Sequence, residues 1–200
     1  MYKSSHKHKP DAPKIGILLT NLGTPDAPTI KAVRPYLKEF LSDPKVVQPP
    51  PPRWLWLLIL NGFILNTRPK KSAKAYQRVW TTHGDGSPLL DISIKQKNAI
   101  EIELNRKAPG QFVIALGMRY GRPSIDSALQ ELEAEDCKKV IVLPLYPQHA
   151  SSTTDSTFDA VSEAIQGWQM APELKFINSY NDNDSYIQSL ANSVKDFQKV

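Results

Sequence analysis

Two hundred residues suit one domain of ordinary size, or one domain with part of another, and 40% apolar content is enough for a real core. The formal net charge of +5 favours an anionic small molecule or an acidic membrane surface, and without an arginine-rich run interleaved with aromatics nucleic acid is not expected as a partner. The single cysteine, Cys137, excludes an internal disulfide framework or cysteine metal cluster, and no segment reaches the ~18 apolar residues of a membrane span.

Residues 1–13 read as a disordered basic tail, whose His6 and His8 are better taken as solvated than as metal ligands. The polar start is unlike a secretory signal, so a reducing, cytoplasmic setting is expected. Ile15 to Thr20 is a short apolar strand running into the turn-rich NLGTPDAP; Gly23 stands alone there, so this is no dinucleotide fingerprint. Ile30, Val33, Leu37, Phe40 and Leu41 recur at helical spacing behind Thr29 as a cap, with Pro35 expected to kink or split the helix.

The segment 46–67 is the oddest. Prolines 49 to 52 form a stiff arm, and Trp54 to Leu65 is apolar nearly all round between Arg53 and Arg68. Two readings stay open: a buried core helix, or an apolar lip at a membrane interface or over a greasy pocket. Ser72 to Trp80 reads as a helix, His83 as an exposed loop histidine, and Ser87-Pro88 as the start of a helix reaching Lys107.

Phe112 to Leu116 is the next strand. Ser124 caps a helix that buries Ile125, Ala128, Leu129 and Leu132. Val140 to Leu145 reads as a strand buried on both faces. The polar run after it should carry Asp155 or Ser156 as the cap of a helix through Phe158, Val161, Ile165 and Trp168. Leu174 to Ile177 is a fourth strand, and Asp182 or Asn183 opens a last helix with Ile187, Leu190, Val194 and Phe197 on one face. Alternating strands and helices predict an α/β fold, a doubly wound parallel sheet of flavodoxin- or Rossmann-like type covered on both faces.

In such sheets ligands lie beyond the carboxyl ends of the strands. Three loops should meet there: Asn21 to Pro28, Met118 to Ser124 and Tyr146 to Asp155. Their arginines, amides and hydroxyls suit an anionic or polar ligand rather than a metal. His149 is the best local proton carrier, although a loop imidazole bonded to backbone is the simpler reading. Cys137, before a strand at the far edge, is better taken as a small buried residue than as a nucleophile.

Six segments in order, GILLTNLGTPDAPT, FLSDPKVV, RPKKSAKAYQRVW, GSPL, ALGMRYGRPS and VLPLYPQ with its Ser/Thr run, resemble the ferrochelatases. The resemblance implies a chelatase-type fold: an N-terminal α/β domain at 14–172, including the lip at 46–67, and the beginning of a second, similar domain at 173–200. It implies insertion of Fe2+ into protoporphyrin IX as substrates, with no cofactor required. It places Leu22 and Tyr76 against the porphyrin ring, Arg68 on a propionate and Ser87 as a hydrogen-bonding group. The lip, Trp54 to Leu65, would make peripheral contact with the inner membrane. The family's catalytic histidine sits in a Ser-x-His-(Gly or Ser)-x-Pro motif that this sequence lacks, so no catalytic residue and no metal ligand is assigned and the chain alone is expected to be inactive. A porphyrin or haem carrier without chemistry is the main alternative. A nucleotide-binding enzyme and a cobalt chelatase of corrinoid synthesis are weaker ones.

Overall fold

The structure, a computed structural model, describes residues 13–48, 52–80, 86–168 and 170–198. The tail histidines, Pro49 to Pro51 and His83 therefore lie outside the described residues. Strands β1 (Ile15–Thr24), β2 (Phe112–Gly121), β3 (Lys139–Pro144) and β4 (Glu173–Phe176) form a sheet of order β2-β1-β3-β4 in which every pair is parallel. Around it lie α1 (Ile30–Ser42), α2 (Arg53–Ile59), α3 (Leu65–Val79), α4 (Pro88–Lys107), α5 (Ile125–Ala134), α6 (Ser156–Ala164) and α7 (Asp184–Phe197). This is the expected doubly wound α/β sheet, with the chain leaving β1 to one side for β2 and returning to the other for β3.

Strand alternation explains the layers. Leu18, Ala115, Val140 and Val142 point to one face and pack with Ile125, Leu129 and Leu132 of α5 and Val161 of α6. Ile17, Leu19, Ile114 and Leu116 point to the other and meet Leu90, Ile94 and Leu104 of α4. β3 departs from its reading as buried on both faces: Val140 and Val142 are buried, but Ile141 and Leu143 on the opposite face are only half-buried. A third cluster lies off the sheet, where Val33, Tyr36, Leu37 and Leu41 of α1 meet Leu60, Leu65 and Ala73.

The caps at Thr29, Ser124 and Asn183 form as expected, accepting from the backbone of Ala32, Ser127, and Ser185 with Tyr186. α1 continues through Pro35 without splitting, with that residue on the exposed side. α6 differs from expectation. Neither Asp155 nor Ser156 caps it; a π-helical turn, Ser151–Asp155, leads directly into it, so the Ser/Thr cluster is helical rather than a loop.

The region read as a lip followed by a separate helix is one continuous helical run. α2 passes through a π-helical turn, Leu60–Ile64, into α3, which contains Pro69. Leu65 has ψ −7°, at the edge of the right-handed helical region, and this loosens the backbone four residues before Pro69, where the proline ring would otherwise meet a carbonyl. β4 pairs with β3 from Lys139↔Glu173 to Val142↔Phe176 and so extends the first sheet, whereas α7 has no buried residue.

Candidate functional site

The carboxyl ends of β1, β2 and β3 meet along one edge, and β1 and β2 run further than their apolar cores suggest. Their pairing continues through Asn21↔Met118 and Gly23↔Tyr120 to Thr24↔Gly121, so Asn21, Arg119 and Tyr120 stand on strands rather than in loops. Gly23 is what allows this close approach. Its φ is +103°, and a Cβ there would lie 1.8 Å from the carbonyl oxygen of Tyr120.

At this edge sits a carboxylate that sequence reasoning missed. Asp43 follows α1 and is buried. Its Oδ2 accepts from Arg119 Nη2 at 2.6 Å, Tyr120 OH at 2.8 Å and Ser156 Oγ at 2.5 Å, while Oδ1 accepts from the backbone N of Lys45 at 2.7 Å. Arg119 also donates from Nε to the Ser156 carbonyl at 2.9 Å, and its guanidinium lies 4.6 Å from the Tyr120 ring centroid. Burial pushes the Asp43 carboxyl up, but the hydrogen bonds from Ser156, Tyr120 and Lys45, with the charge of Arg119, outweigh it and hold the group below the usual carboxylate range. Burial raises the Tyr120 phenol, so both partners keep the protonation this arrangement needs. The only hint in sequence was Asp43 in FLSDPKVV; a helix-ending Asp before proline reads as a turn former, and its partners lie far away in the chain.

The second cluster at this edge is built on Tyr146, whose OH lies 2.5 Å from Thr157 Oγ1 and donates to the Thr153 carbonyl at 3.0 Å. His149 is exposed. Its Nε2 lies 2.7 Å from Asp155 Oδ1, so its partner is a carboxylate and not the backbone. The hydrogen bond from His149 is the main reason the Asp155 carboxyl is lowered. Cys137 is buried at the opposite end of the sheet, where burial raises its thiol, in line with a structural role. Among the described residues no three His, Cys, Asp or Glu side chains converge as a metal site.

The four residues expected to contact a ligand distribute as follows. Leu22 and Tyr76 pack against the same cluster, beside Tyr36, Leu60, Leu65 and Ala73. Tyr76 stands edge-on to Tyr36 at 6.2 Å and to Trp80 at 6.3 Å. Trp80 in turn lines a cavity of about 210 Å³ with Ser87, Leu90 and Arg122, and Ser87 is buried. Arg68 is exposed and lines a different, open groove with Thr67, Lys71 and Ser72. The structure thus brings Leu22 and Tyr76 together, reaches Ser87 through Trp80, and sets Arg68 apart on the outer face of α3.

Between core helix and lip, the structure selects neither reading whole. Leu60 and Leu65 are fully buried, and Trp56 donates from Nε1 to the Leu41 carbonyl at 3.0 Å, which docks the run on α1. On the other side Trp54, Leu58, Ile59 and Phe63 are 63%, 61%, 39% and 67% exposed. Covering a large apolar side chain contributes ~1.5–3 kcal/mol, so a group of this size left in water marks a contact surface. No helix among the described residues is long and apolar enough to cross a membrane.

Comparison with known proteins matches the Ferrochelatase family model over residues 14–199. A ferrochelatase of Hydrogenovibrio crunogenus is 59% identical over 93% of this chain and 49% of its own length. One from Thioalkalivibrio sulfidiphilus is 49% identical over 96% of this chain and 51% of its own, and ferrochelatase 2 of Shewanella oneidensis is 51% identical over 92% of this chain and 54% of its own. The chain spans about half the length of these curated relatives. With the doubly wound sheet, the segments in order and a family match over nearly the whole sequence, the chain belongs to the ferrochelatase family.

Proposed function

We propose that this chain is the porphyrin-holding part of an enzyme that inserts Fe2+ into protoporphyrin IX to form protohaem, and that by itself it binds porphyrin without inserting metal. The observation that carries the reading is the meeting of Leu22 and Tyr76 on one apolar cluster beside an exposed apolar helix, in a chain of this family. Porphyrin is a flat apolar ring with two carboxylates. An apolar wall bearing Leu22 and Tyr76 suits the ring; Arg68, ~12 Å along α3 from Tyr76, suits a propionate that projects from the ring's edge, and Ser87 suits a further hydrogen bond. The exposed face of α2 and its π-turn serves as the peripheral contact with the inner membrane, the medium through which so apolar a substrate arrives.

Insertion exchanges two pyrrole protons for one Fe2+, so a base must take protons as the metal enters. The only imidazole in the described strand-end loops, His149, is held by Asp155, is exposed, and is not among the residues packed on the Leu22–Tyr76 cluster. The expected result is therefore binding without turnover. Titrating protoporphyrin fluorescence should show saturable binding that weakens about tenfold in Arg68→Ala, the loss of one charge-assisted pair. Haem formation measured by absorbance should stay at the protein-free rate. Turnover by the pure chain would refute the assignment of no catalytic residue here; absence of saturable binding would refute the porphyrin wall. A carrier without chemistry shares the binding result and separates from the enzyme reading only when metal insertion stays absent with the remaining half of a relative supplied in trans.

A further inference from the structure

The sequence between Asp43 and Asp85 contains no carboxylate, but it contains seven cations: Lys45, Arg53, Arg68, Lys70, Lys71, Lys74 and Arg78. Set against a whole-chain charge of +5, this stretch holds the entire basic excess and the rest of the chain is net negative. All but Lys45 lie on the run from α2 to α3, all six there are exposed, and none forms an ion pair among the described residues. Elsewhere the lysines and arginines of this protein repeatedly pair, as Lys95 does with Asp91 and Arg106 with Glu103.

The cations are also ordered in space. The buried side of α3 is Leu65, Pro69 and Ala73. Lys71, Lys74 and Arg78 follow one another at three- and four-residue steps on the opposite side, and Trp54, Leu58 and Phe63 are exposed one helix earlier. Along the run the exposed outer surface is thus apolar in its first half and basic in its second. Lys70 and Lys71 lie ~10–12 Å along it from Phe63, which is comparable with a Debye length, so a surface that receives Phe63 also feels their charge.

We infer that this outer face docks on an anionic phospholipid surface, with the apolar half entering the interface and Lys70, Lys71 and Lys74 reading the negative headgroups. The inference rests on the reading of the apolar face as a membrane contact and adds the lipid class that it selects. Charge complementarity decides the occupant: a neutral bilayer would satisfy the apolar half alone and leave an acid-free cationic row with no counterpart.

The test is flotation of the purified chain with vesicles of phosphatidylcholine alone, and with one quarter phosphatidylglycerol. Binding should be more than tenfold tighter to the anionic vesicles at low salt and lose that preference at high salt. Lys70→Gln/Lys71→Gln/Lys74→Gln should remove most of the preference, at about fivefold per lysine, while leaving binding to phosphatidylcholine unchanged. These lysines are outside the proposed porphyrin contacts, and glutamine keeps helix propensity. Trp54→Ser/Phe63→Ser should weaken binding to both vesicles. Equal binding to the two compositions, or a preference retained by the triple variant, overturns the inference. So does competition by inorganic phosphate at matched concentration, which would indicate a small-anion site, and so does loss of the preference in Leu190→Ser/Phe197→Ser, which would move the surface to α7. Porphyrin binding without lipid preference would sink only this inference; lipid preference without porphyrin binding would sink only the proposed function.

Discussion

Asp43 is the residue on which the strand-end edge depends. It joins the end of α1, the end of β2 and the start of α6 through one carboxylate. Removing one partner of a buried, hydrogen-bonded charge pair costs ~3–5 kcal/mol, and because Arg119 keeps 20% exposure the lower end applies. Asp43→Ala should therefore lose about 3 kcal/mol in urea unfolding at pH 7. The carboxyl is lowered in the fold, so its stabilisation is complete above the unfolded value near ~3.9 and is lost as pH falls through the folded value. The gap between wild type and variant should narrow below about pH 4; a gap constant down to acid pH would show that the charge is not what matters. Gly23 is the second such residue. Positive φ for a non-glycine costs ~1–3 kcal/mol, and the carbonyl of Tyr120 occupies the space a side chain would need. Gly23→Ala should lower stability by more than about 3 kcal/mol, and a thermal midpoint unchanged from wild type would contradict the close pairing of β1 with β2.

At the scale of elements, two helical pieces are alike in sequence and opposite in fate. The run from α2 to α3, apolar nearly all round in its first half, and the amphipathic helix α7 both carry large apolar side chains. The first anchors one side through Leu60, Leu65, Ala73 and the Trp56 hydrogen bond. The second exposes Ile187, Leu190, Val194 and Phe197 and buries nothing. Helix stability in proteins comes mainly from a packed face, because an isolated helix of this length is marginal in water. Amide hydrogen exchange should therefore proceed in α7 orders of magnitude faster than in β1 and β3, whose partners are buried on the sheet. Equal protection of α7 and β1 in the isolated chain would show that α7 has found a partner, and self-association would then be the first thing to measure. The capped starts of α1, α5 and α7 were legible from Thr29, Ser124 and Asn183 because a cap acts over three residues. The helical start at Ser151 was not, since Ser and Thr favour turns locally, and it is the burial of Thr154 and the bonds of Ser156 to Asp43 and of Thr157 to Tyr146 that go with the helix.

For the whole molecule, sequence alone determined the class of fold, the strand cores and the family, because these rest on apolar periodicity and on motifs read in chain order. It also marked 46–67 as more than a connector, from its composition. What it could not decide was which face of an all-round apolar helix is covered: burial of Leu60 beside exposure of Phe63 depends on where α1 lies, and no local rule states that. Nor could it locate Asp43, whose partners come from residues 76, 77 and 113 positions away. Nor could it state that backbone pairing puts β4 on the edge of the sheet beside β3 and leaves α7 without a buried residue. Propensity, capping and period act within a few residues and are written in the sequence. Strand order, the partner of a buried charge and the choice between a covered and a bare apolar face are long-range, and only the packing of the folded chain decides them.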